Sequence, residues 1–498
     1  MSRMRIISLL LCAPALLASA CQDYAYEEQP NTVVREKRKT FNASVAQEAN
    51  ILFVVDNSGS MAGEQAQLGQ SFSTFRQVLD EKFGPGKYKI SVITTAMESD
   101  NCPPCNDTIK QGCINETGEN GRFQDRKGCI WDGGSCQPSP TSDQPTFDFI
   151  PDASCRVVDS TNQNCIYDSA SYRGTVMVGT SGCGYERGLA AMRKALEPNM
   201  TGPGKYNSGF LDPQAVLTVA IISDEEDCGE VGDVDDLTPS QATICYYAAK
   251  GVGPMGENIY PGTSKPYALT PVQDYYDFLM RLKDGKTGMV KFAAIVGVKD
   301  KNNPDTTTIE YENATQTSQV RQTCTTPPPC SSTRGYCGAF PGTRYIELYK
   351  KFAASENGFL DTICQNDFHE TLLKMATFIA CPEYFGLDQE ILDPALANLI
   401  LNGKSVPKYT CTSKDPIIEC QGLDDTTTCP SGTTCVETWK YCPYGTKPEK
   451  NANGPVTCVN EDPDTDYPGG KIGFADHYDP CTFITQGEIN IELVYVPE

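Results

Sequence analysis

Histidine is nearly missing from this chain: its 498 residues contain two, His369 and His477. Neither has a serine or cysteine nucleophile motif such as G-x-S-x-G around it, so hydrolysis by a triad has no support. With two imidazoles, a histidine-rich metal cluster is also excluded. Basic charge is in short supply, 41 Lys and Arg against 64 Asp and Glu, a formal net charge of −23. Such a surface repels nucleic acid and anionic lipid headgroups, and it attracts divalent cations. Beyond the first twenty residues no run is long and apolar enough to span a bilayer.

What the chain has in quantity is cysteine, 24 residues, with 42 glycines and 34 prolines that promise many turns. Its length exceeds one ordinary core and predicts two or three domains. Residues 1–20 read as an export signal: Arg3 and Arg5 lead, Ile6 to Leu17 are apolar, and Ala18-Ser19-Ala20 precede Cys21. A cysteine directly after the small residues resembles the lipobox of bacterial lipoproteins. Leu17 stands one place further from Cys21 than usual there. The resemblance implies lipidation of Cys21, anchoring by several acyl chains and, because Gln22 follows, an outer-membrane or cell-surface location. Setting aside Cys12 in the signal and Cys21 leaves 22 cysteines, an even number that reads as disulfides in an exported chain. Residues 21–45 are read as a polar tether.

From residue 46 the pattern alternates between strands and helices. Ile51 to Val55, Tyr88 to Ala96, Ala215 to Ile222, Val290 to Val298 and Gly358 to Ile363 are predicted strands. Helices are predicted over Glu64 to Phe83, Tyr185 to Leu196, Val272 to Leu282, Tyr345 to Ala354 and Phe368 to Ile379. This alternation implies an α/β unit over 46–382, an open, doubly wound, mostly parallel sheet. Two Cys-rich insertions, 98–178 and 299–342, interrupt it; long segments of this kind are functional or stapled. Residues 383–498 read as a β-rich, disulfide-stapled domain, with Leu399 to Pro407 as a hairpin and Glu488 to Val496 as a final strand.

The chemistry-bearing stretch is Ile51 to Met61, I-L-F-V-V-D-N-S-G-S-M. An unbroken apolar strand ends in Asp56, Ser58 and Ser60 at strict alternation, at the sheet edge where α/β folds bind ligands. One carboxylate and two hydroxyls suit a hard cation. The structural alternative is that Ser58 or Ser60 caps the following helix. Further along, Gly179-Thr180-Ser181-Gly182 precedes one predicted helix, and Ser223-Asp224 ends a central strand. Together these resemble the metal-ion-dependent adhesion site of the von Willebrand factor type A (VWA) family.

That resemblance covers the pattern from about residue 46 to 382, outside the insertions. It implies a divalent cation, Mg2+ before Ca2+ or Mn2+. The hydroxyls of Ser58, Ser60 and Thr180 would contact it, with Asp56 and Asp224 acting directly or through water. Ser181, adjacent to Thr180, is the alternative hydroxyl. The expected role is a non-enzymatic adhesion module engaging a protein or glycan partner through an acidic group. A structural envelope protein with a stabilising metal is the rival, and a thiol oxidoreductase using Cys102 and Cys105 a third. The C-P-P-C pair reads better as structural disulfides. Asp224-Glu225-Glu226-Asp227 is expected to be a solvated acidic loop pinned by Cys228, with a second ion site as its alternative.

Overall fold

A computed structural model describes residues 37–44, 48–98, 119–124, 126–131, 176–179, 182, 185–229, 243–260, 266–313, 319–326, 338–380 and 488–495, apart from positions 85 and 356, with shorter pieces in 136–159 and 385–474. The signal, Cys21, Cys102, Cys105, Thr180, Ser181 and His477 lie outside the described residues.

Five parallel strands form the centre: β1 Ala49–Val55, β2 Tyr88–Thr94, β3 Val216–Ser223, β4 Val290–Val296 and β5 Gly358–Thr362. Their order across the sheet is β5-β4-β3-β1-β2. Every residue of β1, β3 and β4 is buried. That double-sided burial is why these strands read as continuous apolar runs rather than alternating ones.

Odd residues of β1 (Ile51, Phe53, Val55) face a core built with helices α1 Ala62–Phe83 and α5 His369–Ala380. Leu52 and Val54 face the opposite core, with α2 Gly188–Leu196, α3 Val272–Arg281 and α4 Thr343–Ala353. In α1 the apolar spacing Leu68, Phe72, Phe75, Leu79 carries one buried face. Phe72 and Phe75 meet Phe53 edge-on, with centroids 5.2 and 5.4 Å away. The helix stops at Gly84, whose φ of 85° is a conformation other residues rarely adopt. On the same face Lys291 is buried and donates to the carbonyls of Phe378 and Ile379, the second at 3.2 Å. A cation is favourable at the C-terminus of α5 because the carbonyls there have no helical partners.

The first insertion is more than decoration. Ile90 of β2 and Val158 exchange backbone hydrogen bonds of 2.8 Å, and Gln124 N donates to Val92 O. An otherwise bare sheet edge is thereby covered, which blocks pairing with other chains. The second insertion is stapled to β5's following turn by Cys324–Cys364, and Phe340 N donates to Asp224 O at 2.9 Å. Between β3 and α3 lies a helix the sequence pattern did not reveal, Thr243–Lys250, fastened by Cys228–Cys245.

Beyond residue 382 the described elements are short strands, and Cys411–Cys429 and Cys442–Cys458 are bridged there. The expected hairpin is present as Ala397–Leu401 paired with Lys404–Ser405. One departure concerns the stretch read as a polar tether. Its residues Lys37–Ser44 form a strand, antiparallel to Glu488–Tyr495, which in turn pairs with Ala397–Leu401. Among the described residues no helix is long and apolar enough to cross a membrane.

Candidate metal centre

The loop after β1 leaves the sheet between its neighbours β3 and β2. Asp56 N donates to Ile222 O of β3 at 2.9 Å, continuing the ladder by one residue. Ser58 N then turns back to Asp56 Oδ1 at 2.7 Å, and Ser223 Oγ donates to Asp56 Oδ2 at 2.6 Å. The carboxylate is thus gripped at both oxygens and has no exposure.

The helix-cap alternative fails for both serines. A 3-10 turn, Gly59–Met61, precedes α1, and neither Ser58 nor Met61 makes a side-chain cap. Instead the Ser58 and Ser60 hydroxyls lie 2.8 Å apart, and Ser60 Oγ donates to Asp224 Oδ1 at 3.1 Å. Those partners are 164 residues apart in sequence. Four of the five sequence-derived positions therefore meet at the carboxyl edge of β1 and β3.

The fifth, Thr180, is not among the described residues, but its neighbours are tied to this rim. Gln65 of α1 is fully buried and bridges the loops: its Nε2 donates to Asp56 O (2.8 Å) and Gly179 O (2.7 Å), and its Oε1 accepts from Gly179 N (3.0 Å). Gly182 N donates to Asn57 O at 2.7 Å. A Cβ at Gly182 would lie 2.3 Å from Asn57 Oδ1, so a larger residue there would push the buried Asn57 side chain aside.

The electrostatics are one-sided. Burial holds the Asp56 carboxyl above the usual carboxylate range, against the pull of its Ser223 and Ser58 hydrogen bonds. Asp224 is pushed well above that range by burial, then by the charges of Asp56, Glu225 and Glu64. Glu186, just before α2, is also pushed well up by burial and by Asp56 and Glu225. Among the described residues, the main influences on Asp56, Asp224 and Glu186 include no cation. The donor set fits a hard divalent ion: oxygen ligands, two carboxylates without a counter-charge, and hydroxyls unused by the helix. Among the described residues no group of three or more His, Cys, Asp and Glu side chains is arranged to hold a metal. Any ion here would rest on two carboxylates plus neutral hydroxyls.

The acidic loop is not solvated, contrary to the sequence reading. Asp224, Glu226 and Asp227 are all buried. Glu226 accepts from the N–H groups of Thr343 (2.8 Å) and Arg344 (3.0 Å) at the start of α4. Asp227 accepts from Leu189 N at 3.0 Å and pairs with Arg344 Nε at 2.9 Å. The tail of D-E-E-D is a helix cap and a buried ion pair, and Cys228 pins it as expected. Helix α2 begins at Gly188 rather than Tyr185, because Glu186 O accepts from Cys228 N and Arg187 N donates to Thr95 O. His369 is exposed on α5, with Nδ1 3.2 Å from Thr74 Oγ1.

No protein-family pattern and no curated protein matches the sequence. Among solved structures the pilus adhesin SpaC of Lactobacillus rhamnosus GG is similar at 8% identity, over 90% of this chain and 40% of that one, with a TM-score of 0.29. The tip pilin GBS104 of Group B Streptococcus agalactiae gives 10% identity, 93% and 81% coverage and the same TM-score. The human COPII-coat protein Sec24c gives 8% identity, 92% and 46% coverage, and again 0.29. This chain spans about two fifths of the length of SpaC. Overlap this low carries no weight for fold or function; the case rests on the site.

Proposed function

We propose that this chain is an exported lipoprotein, anchored through Cys21 at the bacterial surface, whose α/β unit is a doubly wound VWA-type domain with an adhesion-site cation. Asp56, Ser58, Ser60 and Asp224, with Thr180, would hold Mg2+ in preference to Ca2+ or Mn2+. The observation that carries the reading is the Ser60–Asp224 contact, with Ser58 beside it and neither serine capping α1. Among the described residues these side chains bond to one another rather than to a helix end, and the fold gathers them from two distant loops.

A bound cation would supply a positive charge that two carboxylates and neutral hydroxyls do not surround, with positions open to an outside oxygen. The chain's residues do the rest. Ser223 and Ser58 N fix the Asp56 carboxylate; Gln65 fixes the Asp56 and Gly179 backbones; Phe340 N fixes Asp224 through its carbonyl. A rim held this way is ready before a partner arrives, which lowers the ordering cost of recognition. An acidic group on a protein or glycan is the matching partner chemistry.

Calorimetric titration with MgCl2, and melting with and without EDTA, test the cation. One-to-one binding that disappears in Asp56→Ala and Ser60→Ala is expected; no heat and no melting shift with Mg2+, Mn2+ or Ca2+ would end the reading. Retention of the full chain on arrayed matrix proteins and glycans, compared in Mg2+ and in EDTA, tests adhesion. Equal retention in both would leave the metal a stabilising role only.

A further inference from the structure

Glu186 belongs to no pattern in the sequence, yet it has an unusual position. It is 1% exposed, between β2 and the start of α2. Its backbone carbonyl serves the loop by accepting from Cys228 N at 2.6 Å, but its carboxylate has no comparable task. Oε2 accepts from Thr95 Oγ1, while Oε1 is buried without any hydrogen-bond donor. Thr95 Oγ1, which donates to Glu186, also lies 3.5 Å from Asn57 Oδ1, next to Asp56, and the Glu186 and Asp56 charges act on each other. Two buried carboxylates side by side repel unless a proton or a cation stands with them. The buried guanidinium of this region, Arg344, is already committed to Asp227. An uncompensated buried carboxylate is costly, and a fold retains one where another group supplies the charge.

Resting on the cation-binding reading above, we infer that Glu186 is a positioning residue of the metal centre: its carboxylate backs Asp56 and adds a second buried negative charge that the bound ion balances. It acts through Asp56 rather than as a ligand, since no three carboxylates are arranged around one point among the described residues. Carboxylates behind metal ligands tune the ligand's orientation and donor strength in this manner. The sequence names five groups for the site; the structure adds a sixth, from the strand-to-helix turn before α2.

Glu186→Gln preserves size, can keep the Thr95 contact, and offers Asp56 an amide N–H where there was an opposing acceptor. It removes only the charge. Two linked measurements on the full chain then decide. Affinity for Mg2+ by calorimetry falls about tenfold or more in Glu186→Gln, and affinity for Tb3+ by luminescence falls further, because a charge acts on an ion in proportion to its valence. In EDTA the same variant melts at a higher temperature than the wild type. Glu186→Asp recovers part of the Mg2+ affinity. If the wild type binds Mg2+ and Glu186→Gln binds both ions equally well, the inference is wrong while the metal site stands. If Glu186→Gln melts lower in EDTA and loses Mg2+ and Tb3+ affinity by the same factor, Glu186 is a packing residue and the inference is wrong. No binding by the wild type to Mg2+, Mn2+ or Ca2+ removes the metal site and this inference together.

Discussion

Two groups of buried acids adjoin at the loop after β3, where Asp224 belongs to one and Glu226 and Asp227 form the other, and the protein treats them oppositely. Glu226 and Asp227 receive what buried carboxylates need: backbone N–H groups at the start of α4, Leu189 N, and the Arg344 guanidinium. Asp56, Asp224 and Glu186 receive hydroxyls and two backbone contacts at most, and negative neighbours instead of positive ones. Chain chemistry alone completes the first group. The second has no positive partner among the described residues, and the proposed cation would supply one. A buried acid is therefore weak evidence of a site, and the absence of its counter-charge is the informative part.

The largest expected effect comes from making the first group resemble the second. Arg344→Ala strands Asp227 without its partner and should cost about 3–5 kcal/mol in urea unfolding. Pairing it with Asp227→Asn should recover a sizeable part; no recovery would mean that Arg344 matters for packing alone. Next, Gln65→Ala removes three hydrogen bonds joining Asp56 to Gly179 and should cost about 1–3 kcal/mol. It should also weaken Mg2+ binding, and intact affinity would show that the rim is organised without it.

A smaller effect with the opposite sign separates the groups most cleanly. Asp224→Asn relieves repulsion from Asp56, Glu225 and Glu64, so in EDTA it should raise stability by about 1 kcal/mol. It should abolish the stabilisation by Mg2+, which for the wild type at a hundredfold excess over Kd is about 2.7 kcal/mol. The mildest test is pH. Carboxyls raised on folding bind more protons in the folded state than in the unfolded one. Stability in EDTA should therefore fall as pH rises from the ordinary carboxylate range through the raised values. Glu226, pushed up to about 7 by burial, contributes to that fall from about 4.5 to about 7. Saturating Mg2+ should cancel the rim's share and leave Glu226's, which Glu226→Gln removes. An identical slope with and without Mg2+ would place the whole effect in the first group.

Much of the scaffold could be read locally. β1, β3 and β4 announce themselves because burial on both faces demands an unbroken apolar run, and α1 shows its face through Leu68, Phe72, Phe75 and Leu79. Asp56, Ser58 and Ser60 were legible because alternation beyond a strand fixes direction, and Asp224 through the resemblance carried by Ser223-Asp224. What escaped depends on distant partners. D-E-E-D looks solvated until Arg344 and the start of α4 arrive from more than a hundred residues away. Glu186 reads as an ordinary acid near a helix start, and nothing local reveals Asp56 beneath it. In Thr243–Lys250 apolar residues are adjacent rather than spaced, so the helix gives no periodic signal. Lys37–Ser44 is too polar and charged to read as a strand without Glu488–Tyr495 opposite.

That last pairing bears on the order of assembly. The strand at Glu488–Tyr495 sits in the middle, with Lys37–Ser44 on one side and Ala397–Leu401 on the other, so two neighbours wait for a segment made well after both. The parallel sheet spans 49–362 and can close while the ribosome is still extending the chain. Closure of so long a loop is slow, and waiting strand edges invite mispairing. During synthesis the early strand is thus a vulnerable passenger, and it finds its seat only once that distant segment has been made.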